Sequence, residues 1–271
     1  MHFAPIAFIG GGHMAGALIG GLIAGGRDAG SVWVVEPAAD QRGRLQARWP
    51  VRTLDRAGAE LASAGTVVWA VKPQVFAAAA APCAGHVADA LHLSVMAGIR
   101  TNALVRATGS QRVVRAMPNT PALIGQGIAG LYACPEVDAD GRRWVEQLLA
   151  PTGATLWVER ESDLDAVTAL SGSGPAYVFY LLEAMMDAAQ RMGLSAAQGR
   201  ALAQATVAGA AALATRSSES PATLRGQVTS KGGTTHAAIS SMQAAGVGPA
   251  IVQAILAAQD RARELGDEFG R

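Results

Sequence analysis

The chain has 271 residues, which is enough for one large domain or two moderate ones. Half of the residues are hydrophobic and 16% are charged, a balance typical of folded rather than disordered proteins. The formal net charge of +1 provides no basic excess to meet phosphates, which argues against a nucleic-acid or membrane-surface protein. Cys83 and Cys134 lie far apart and outside any metal-ligand spacing, so we expect no metal site and a reducing, cytoplasmic location.

The uncharged stretch 3–26 has the length of a membrane span or a secretory signal. It lacks a basic leading segment, and its many glycines would destabilise a spanning helix. We therefore interpret it as a strand, a turn and a helix.

Short apolar runs alternate with helical segments through the first half of the chain. The predicted strands are 6–9, 32–35, 66–71, 91–95 and 113–116, all parallel and buried, with 128–132 and 155–158 completing the sheet. Helices are predicted at 14–24 and 40–47 and near 140–150. This alternation predicts an α/β fold with a doubly wound, Rossmann-type sheet over residues 1–161.

No further strand is predicted after residue 161, so residues 162–271 are expected to form an all-helical domain. Apolar side chains between 177 and 192 cover most of the girth of one helix, which predicts burial on several sides. That burial could be a domain core, but a subunit interface explains it at least as well. Ser195 is a predicted N-cap, residues 217–221 break the chain, and the last helix is predicted at 249–265.

A glycine-rich turn lies between the first predicted strand and the first predicted helix. Gly10 permits a tight turn, Gly12 lets the backbone approach a pyrophosphate, and Ala15 allows the helix to pack closely on the strand. The helix N-terminus offers unpaired N–H groups to phosphates. We therefore predict a hydride-transferring oxidoreductase with a nicotinamide dinucleotide at this turn, whose residues are Gly10, Gly11, Gly12, His13, Met14 and Ala15.

Glu36 ends the second strand about twenty residues beyond the turn. A carboxylate at this place usually accepts the ribose hydroxyls and favours NAD. Arg42 and Arg44 could instead meet the 2′-phosphate of NADP, or could simply face solvent. The sequence thus leaves both NADPH and NADH open.

Two later loops follow strands at the carboxyl edge of the predicted sheet, where doubly wound folds bind ligands. The first consists of Ala70, Val71, Lys72 and Pro73, and the proline holds Lys72 extended towards the cofactor or substrate. The second holds Asn119 between two prolines, where it can offer both its amide and its carbonyl to the nicotinamide. An exposed lysine and an ordinary turn asparagine are the alternatives.

A second glycine motif precedes an apolar helical segment in the second half. Gly232, Gly233, Thr234 and Thr235 provide backbone N–H groups and hydroxyls at a helix start, which is a suitable site for a small anion. An ordinary helix after a flexible turn is the alternative.

Over essentially its whole length the chain resembles the pyrroline-5-carboxylate reductases, which make proline by reducing a cyclic imine with NADPH or NADH. The resemblance rests on the first glycine turn, on AVKP at 70–73, RAMPNTP at 115–121, DAVT at 165–168, SGSGPAY at 171–177 and VTSKGGTT at 228–235. The last two motifs are specific to the family, whereas the glycine turn alone is not.

The resemblance implies a Rossmann domain followed by a helical dimerisation domain that interlocks with a second subunit, so a homodimer or a larger homo-oligomer. It implies a substrate loop in which Gly232, Gly233 and Thr234 bind the carboxylate and Thr235 hydrogen-bonds the ring nitrogen as the catalytic residue. Gln227 and Ser230 line the same pocket, while Ala97 and Asn119 complete the cofactor site.

Two positions depart from the family pattern. His13 stands where the family commonly has an amide, and Lys231 replaces the usual proline of the second motif. Lys231 is also the only lysine in the helical half, so it could act as the acid/base of a hydroxy-acid dehydrogenase, the alternative enzyme. A dinucleotide-binding protein without activity is the non-enzymatic alternative.

Overall fold

The computed structural model describes residues 4–269. Within these residues one eight-stranded sheet forms, with β1 at Ile6–Ile9, β2 at Val32–Val35, β3 at Arg52–Leu54, β4 at Thr66–Trp69, β5 at Leu91–Ser94, β6 at Val113–Met117, β7 at Gly127–Ala133 and β8 at Gly153–Trp157. The strand order is β3-β2-β1-β4-β5-β6-β7-β8. All neighbours are parallel except β6 and β7, which are antiparallel.

The order of the strands reverses at β1, which pairs with both β2 and β4. Ile9 pairs with Trp69, so the carboxyl ends of β1 and β4 lie side by side. This is the switch point at which doubly wound sheets bind their ligands. β1, β2, β4 and β5 are buried along their whole length, as expected for strands covered on both faces, and their buried polar residues are Thr66, His92 and Ser94.

Eleven α-helices occur within residues 4–269: α1 at His13–Ala24, α2 at Ala39–Arg48, α3 at Phe76–Ala80, α4 at Thr101–Thr108, α5 at Ala139–Leu149, α6 at Asp163–Val167, α7 at Gly174–Arg191, α8 at Ala196–Arg216, α9 at Pro221–Gln227, α10 at Thr234–Ala244 and α11 at Val247–Phe269. A π-helical turn, Thr168–Gly172, joins α6 to α7. Ser195 caps α8 with a reciprocal bond to Gln198, which confirms the predicted helix start.

Several boundaries differ from the predicted ones. The strand predicted at 66–71 ends at Trp69, although the Ala70 amide still donates to the Ile9 carbonyl of the neighbouring strand at 2.9 Å. The last helix is longer at both ends than predicted. β3 and α4 were not predicted at all, and neither was the antiparallel direction of β7.

Two apolar clusters cover the two faces of the sheet. One includes Leu18 of α1 and Leu148 of α5, and the other includes Phe76 of α3 and Leu104 of α4. α1, α3 and α4 fix the loops at the carboxyl edge, because each of them begins where such a loop ends, whereas α5 follows the antiparallel β7 at the opposite edge.

The chain divides into two compact units. One runs up to Ser173 and resumes at Ala258, and the other is Gly174–Ala257. The second unit has almost no core of its own, since only Ala189, Gly199 and Ala203 are buried in it. The domain boundary predicted between residues 161 and 162 stays a prediction.

No single helix within residues 4–269 is long and apolar enough to cross a membrane. One bent pair, Thr234–Ala244 with Val247–Glu268, meets that test by length and composition alone.

Candidate functional site

The three glycines of the first turn have different surroundings. Gly10 has a φ of +97°, and a Cβ there would lie 2.8 Å from the Ala70 carbonyl oxygen. A Cβ on Gly11 would lie 2.6 Å from the Leu45 side chain. A Cβ on Gly12, by contrast, would meet no described atom within 4 Å. The backbone therefore requires glycine at position 10, a side chain at position 11 would displace Leu45, and Gly12 leaves open space at the helix start.

That helix start, at α1, is suited to a pyrophosphate. Gly12 is the N-cap in extended conformation, and no side chain among residues 4–269 caps the first turn. Its amides therefore keep the donor capacity and the partial positive charge that bind anions. Ala15 is fully buried against the sheet, Met14 is half-buried, and the His13 side chain is exposed.

The Glu36 carboxylate is held in place beside the turn. Its two oxygens accept from the Gly11 and Ala38 amides, each at 3.0 Å. The Arg42 guanidinium donates to the carbonyls of Glu36 and Pro37, both at 2.8 Å, so it stabilises the turn after β2. Of the two arginines that the sequence offered to a 2′-phosphate, Arg42 thus has a structural partner.

Arg44 lies elsewhere, in a groove of about 290 Å³ beside the turn. This groove is lined by Gly12 and His13 on one side and by Arg44 and Arg48 on the other. The Arg48 guanidinium stacks over Trp49 at 4.5 Å. Arg44 and Arg48 are both exposed, so each of these guanidinium groups can meet an anionic ligand in the groove.

The loop after β4 lies directly against the glycine turn. A Cβ on Gly10 would come 2.9 Å from the Val71 side chain, and Ala70 lies equally close. Lys72 is exposed and extended, with φ −66° and ψ 142°, and Pro73 begins a short 3₁₀ turn after it. The predicted conformation of Lys72 is confirmed, while its ligand stays a prediction.

Asn119 follows β6 and caps a short 3₁₀ helix. Its side-chain oxygen accepts from the Ile128 amide at 3.0 Å, which ties the loop to β7. The carbonyl oxygen thus already accepts one hydrogen bond and keeps a second lone pair, so the availability of both ends of the amide to the nicotinamide stays a prediction. Ala97 lies exposed in the turn after β5, at the same edge of the sheet.

The π-helical turn brings the SGSG motif to the sheet. A Cβ on Gly172 would lie 2.6 Å from the Met117 methyl group, and one on Gly130 would lie equally close to Val167. Small residues here let the turn approach the carboxyl end of β6. π-helical turns are frequent at functional sites, and this one stands next to the Asn119 loop.

Sequence reasoning missed Glu161, which joins three elements of the first unit. Its carboxylate accepts from the Thr101 amide at 2.7 Å, from the Thr101 hydroxyl at 2.8 Å and from Arg115 at 2.7 Å. Arg115 is buried at the carboxyl half of β6. The only sequence signal was the arginine that opens the RAMPNTP motif on an otherwise apolar strand.

The second glycine motif forms a tight turn followed by α10. Gly233 donates to the Ser230 carbonyl at 3.0 Å, and Gly232 between them has a φ of +76°. This arrangement is that of a type II turn, whose third residue requires a glycine. Lys231 occupies the second position and is exposed.

The start of α10 resembles that of α1. Gly233 is the N-cap, no side chain among the described residues caps it, and its first turn contains no acidic residue. Thr234 is exposed and Thr235 half-buried, while Gln227 ends α9 just before the turn. The predicted substrate residues therefore lie on one turn and the two helix ends beside it.

The strongly perturbed titratable groups lie away from both glycine turns. Burial lowers the pKa of His92 to about 4 and raises the pKa of the Cys83 thiol to about 11. Both groups belong to the core on the face that α3 and α4 cover. No group of three metal-ligating side chains occurs in the part of the chain that the structure describes.

The chain matches known proteins along its full length. The family description "Pyrroline-5-carboxylate reductase dimerisation" matches residues 161–265, and "NADP oxidoreductase coenzyme F420-dependent" matches residues 5–98. The pyrroline-5-carboxylate reductase of Pseudomonas aeruginosa is 43% identical over 98% of each chain. That of Haemophilus influenzae is 41% identical over the same shares. The chain belongs to the pyrroline-5-carboxylate reductase family.

Solved structures agree with this assignment. The pyrroline-5-carboxylate reductase of Coxiella burnetii superimposes with a TM-score of 0.88 at 34% identity, covering 97% of this chain and 98% of that one. The Plasmodium falciparum pyrroline carboxylate reductase, solved with NADP bound, has a TM-score of 0.85 at 25% identity, covering 98% and 99%.

Membership in the pyrroline-5-carboxylate reductase family confirms the predicted fold and the oxidoreductase class. It favours the predicted reductase over the hydroxy-acid dehydrogenase, because whole-chain relatives carry the reductase name. The matched dimerisation region also supports the predicted homo-oligomer.

Proposed function

We propose that this chain reduces 1-pyrroline-5-carboxylate to L-proline with NADPH, or with NADH, in the last step of proline biosynthesis. The observation that carries the proposal is whole-chain similarity to reductases of this name. Two uncapped helix starts add a physical argument, because one suits a pyrophosphate and the other a small carboxylate.

The first unit fits a nicotinamide dinucleotide at the glycine turn. Gly10, Gly11, Gly12, His13, Met14 and Ala15 would hold the pyrophosphate, Glu36 the adenosine ribose, and Ala70, Val71, Lys72, Pro73, Ala97 and Asn119 the rest of the molecule. The open space at Gly12 supports this fit, since a Cβ there would fill it. When bound, the reduced cofactor supplies the hydride.

The second unit binds the imine through the α10 turn. The amides of Gly232, Gly233 and Thr234 hold the carboxylate, Gln227 and Ser230 line the pocket, and Thr235 hydrogen-bonds the ring nitrogen. A fixed carboxylate orients the ring, and orientation is the main requirement for transfer to a C=N bond. Neither the turn nor its helix start contains an Asp or Glu, so the proton reaches the nitrogen with the protonated imine or through water and Thr235.

The assembly we propose is a homodimer, or a larger homo-oligomer built from dimers, through the second unit. Large apolar side chains are exposed on α7, where Phe179 is 58% and Tyr180 is 76% exposed. A second copy of the chain would cover such a surface. We further propose a cytoplasmic location and no nucleic-acid or membrane partner, on the grounds of charge balance and free cysteines.

Turnover measured with purified protein tests the function. We expect 1-pyrroline-5-carboxylate to oxidise NADPH or NADH with formation of proline, and small 3-hydroxy acids to reduce neither NADP⁺ nor NAD⁺. Oxidation of hydroxy acids without imine reduction would favour the dehydrogenase. Cofactor binding without any turnover would favour a non-catalytic protein.

Replacement of Thr235 tests the catalytic assignment. Thr235→Ala should lower kcat/KM for the imine by about 10-fold or more while the Kd for NADPH changes little, because the hydroxyl acts on the ring nitrogen. Thr235→Ser keeps the hydroxyl and should restore most of the activity. Equal losses of imine turnover and cofactor binding would contradict the role of Thr235.

A further inference from the structure

Lysine is rare in this chain and occurs only in the two ligand loops. Of 22 basic side chains just two are lysines, Lys72 and Lys231, and all others are arginines. Lys72 follows β4 beside the glycine turn, and Lys231 lies in the turn before α10. Lysine differs from arginine in carrying a compact, strongly hydrated charge on a flexible stem.

The surroundings of Lys231 contain no acid. From Ser220 to Gln259 the sequence has no Asp or Glu, although the whole chain is almost balanced, with 22 basic and 21 acidic residues. The charged side chains of this stretch are Arg225 and Lys231, and His236 lies in the first turn of α10. An acid-free stretch of this length creates a local positive potential in a protein whose formal net charge is only +1.

The geometry of the turn places this charge next to the proposed carboxylate site. Lys231 occupies the exposed second corner of the turn that Gly233 closes onto Ser230, three residues before Thr234 begins α10. Among residues 4–269 it forms no salt bridge, so its charge is not neutralised by a neighbour.

The uncapped helix start and the lysine act over different ranges. The partial positive charge at the start of a helix falls off within the first turn, so it acts on a carboxylate that has already arrived. A full charge on an exposed side chain acts over about 10 Å at ordinary ionic strength. The lysine can therefore attract an anion that the helix start then binds.

We propose that Lys231 is a specificity-determining residue that attracts the carboxylate of the substrate to the turn before α10. This inference rests on the proposed function. It predicts that the enzyme prefers a cyclic imine with a carboxylate over the same ring without one, and that part of this preference is electrostatic. Lys231 takes no part in hydride or proton transfer, so it should affect KM and not kcat.

A series of charge variants separates this role from a turn-forming role. At about 20 mM ionic strength Lys231→Gln should raise KM for 1-pyrroline-5-carboxylate about 3-fold with kcat nearly unchanged, and Lys231→Glu should raise it further. Lys231→Arg should stay close to wild type. The difference between wild type and Lys231→Gln should shrink to below about 1.5-fold at about 0.5 M salt.

Two controls make the series specific. Arg143→Gln removes the same charge from α5, whose neighbour Trp144 bonds to Thr66 at the opposite, amino edge of the sheet, and it should leave KM unchanged. The ring without its carboxylate, 1-pyrroline, should show no rise in KM with Lys231→Gln. Lys231→Pro removes the charge while suiting the second corner of the turn, so it should behave like Lys231→Gln.

Three results would overturn the role of Lys231: equal KM values for the Arg and Gln variants, a salt-independent difference, or wild-type KM in Lys231→Pro. Failure of the proposed function has a different signature, since the wild-type protein would then not turn over 1-pyrroline-5-carboxylate at all.

Discussion

His92 makes the stability of the first unit dependent on pH in a calculable way. Its ring lies in β5 with no exposed surface, and its Nδ1 accepts from the Trp69 indole N–H at 3.0 Å. Nε2 therefore carries the hydrogen and donates to the Val87 carbonyl at 2.9 Å. A second proton on the ring would break the bond from Trp69 and place a charge in the core.

Burial lowers the pKa of His92 from 6.5 to about 4, so the unfolded chain binds more protons than the folded chain between these values. The contribution of His92 to the free energy of unfolding is then complete above about pH 6.5 and is lost as the pH falls towards 4. pH 5 lies about 1.5 pH units below the pKa of the unfolded state, and each unit corresponds to about 1.36 kcal/mol. The free energy of unfolding should therefore be about 2 kcal/mol lower at pH 5 than above pH 6.5.

Urea unfolding of wild type and His92→Gln, at one protomer concentration and several pH values, isolates this effect. Glutamine can still accept from Trp69 and donate to Val87 but does not titrate. The stability advantage of wild type over the variant should shrink by about 2 kcal/mol between about pH 7.5 and pH 5, while other titrating groups cancel in the comparison. A pH-independent difference would refute the buried neutral imidazole.

Three further predictions, two of them with a control substitution, test the site. Glu161→Ala leaves the buried Arg115 without its carboxylate partner and should lower the free energy of unfolding in urea by about 2–4 kcal/mol. The exposed control Glu159→Ala should lower it by less than about 0.5 kcal/mol. Equal effects of the two substitutions would contradict a stabilising role of the Glu161 network. Gly12→Ala should raise the Kd for NADPH about 10-fold without lowering the midpoint of urea unfolding, because a Cβ there fills open space. Gly10→Ala should raise the Kd and also lower the midpoint. A lower midpoint for Gly12→Ala than for Gly10→Ala would contradict the open space at Gly12. Glu36→Gln keeps an acceptor for the Gly11 amide and should raise kcat/KM for NADPH relative to NADH a few-fold, so an unchanged ratio would show that Glu36 does not face the ribose.

Local patterns were sufficient for much of the fold. The buried strands, the glycine turn before α1 and the Ser195 cap could be predicted because each depends on residues within one or two turns of chain. β3 was not predictable in this way, since Arg52–Leu54 is a short, partly exposed edge strand without an apolar signal. Its position follows only from pairing with β2.

The details of the candidate site depend on contacts between distant residues. The Asn119 oxygen is engaged by the Ile128 amide, and Glu161 meets Thr101 sixty positions away. Nothing in the loop sequences shows that one end of the asparagine is used for structure. Motifs thus predict where a site lies, while the three-dimensional contacts decide which atoms remain for a ligand.

In the second unit, too, the local sequence pattern does not determine what covers the apolar side chains. Its sequence predicted an apolar helix that must be buried on several sides, yet α7 and α8 bury only Ala189, Gly199 and Ala203. A unit with so small a core cannot offset the conformational entropy of ordering its own helices in water. We therefore expect another surface to cover the exposed apolar residues, and the match to a dimerisation region agrees with a second copy of the chain in that place. Because the α10 turn belongs to this unit, we expect the proposed carboxylate site to depend on assembly for its rigidity, in the same way that the glycine turn depends on the sheet.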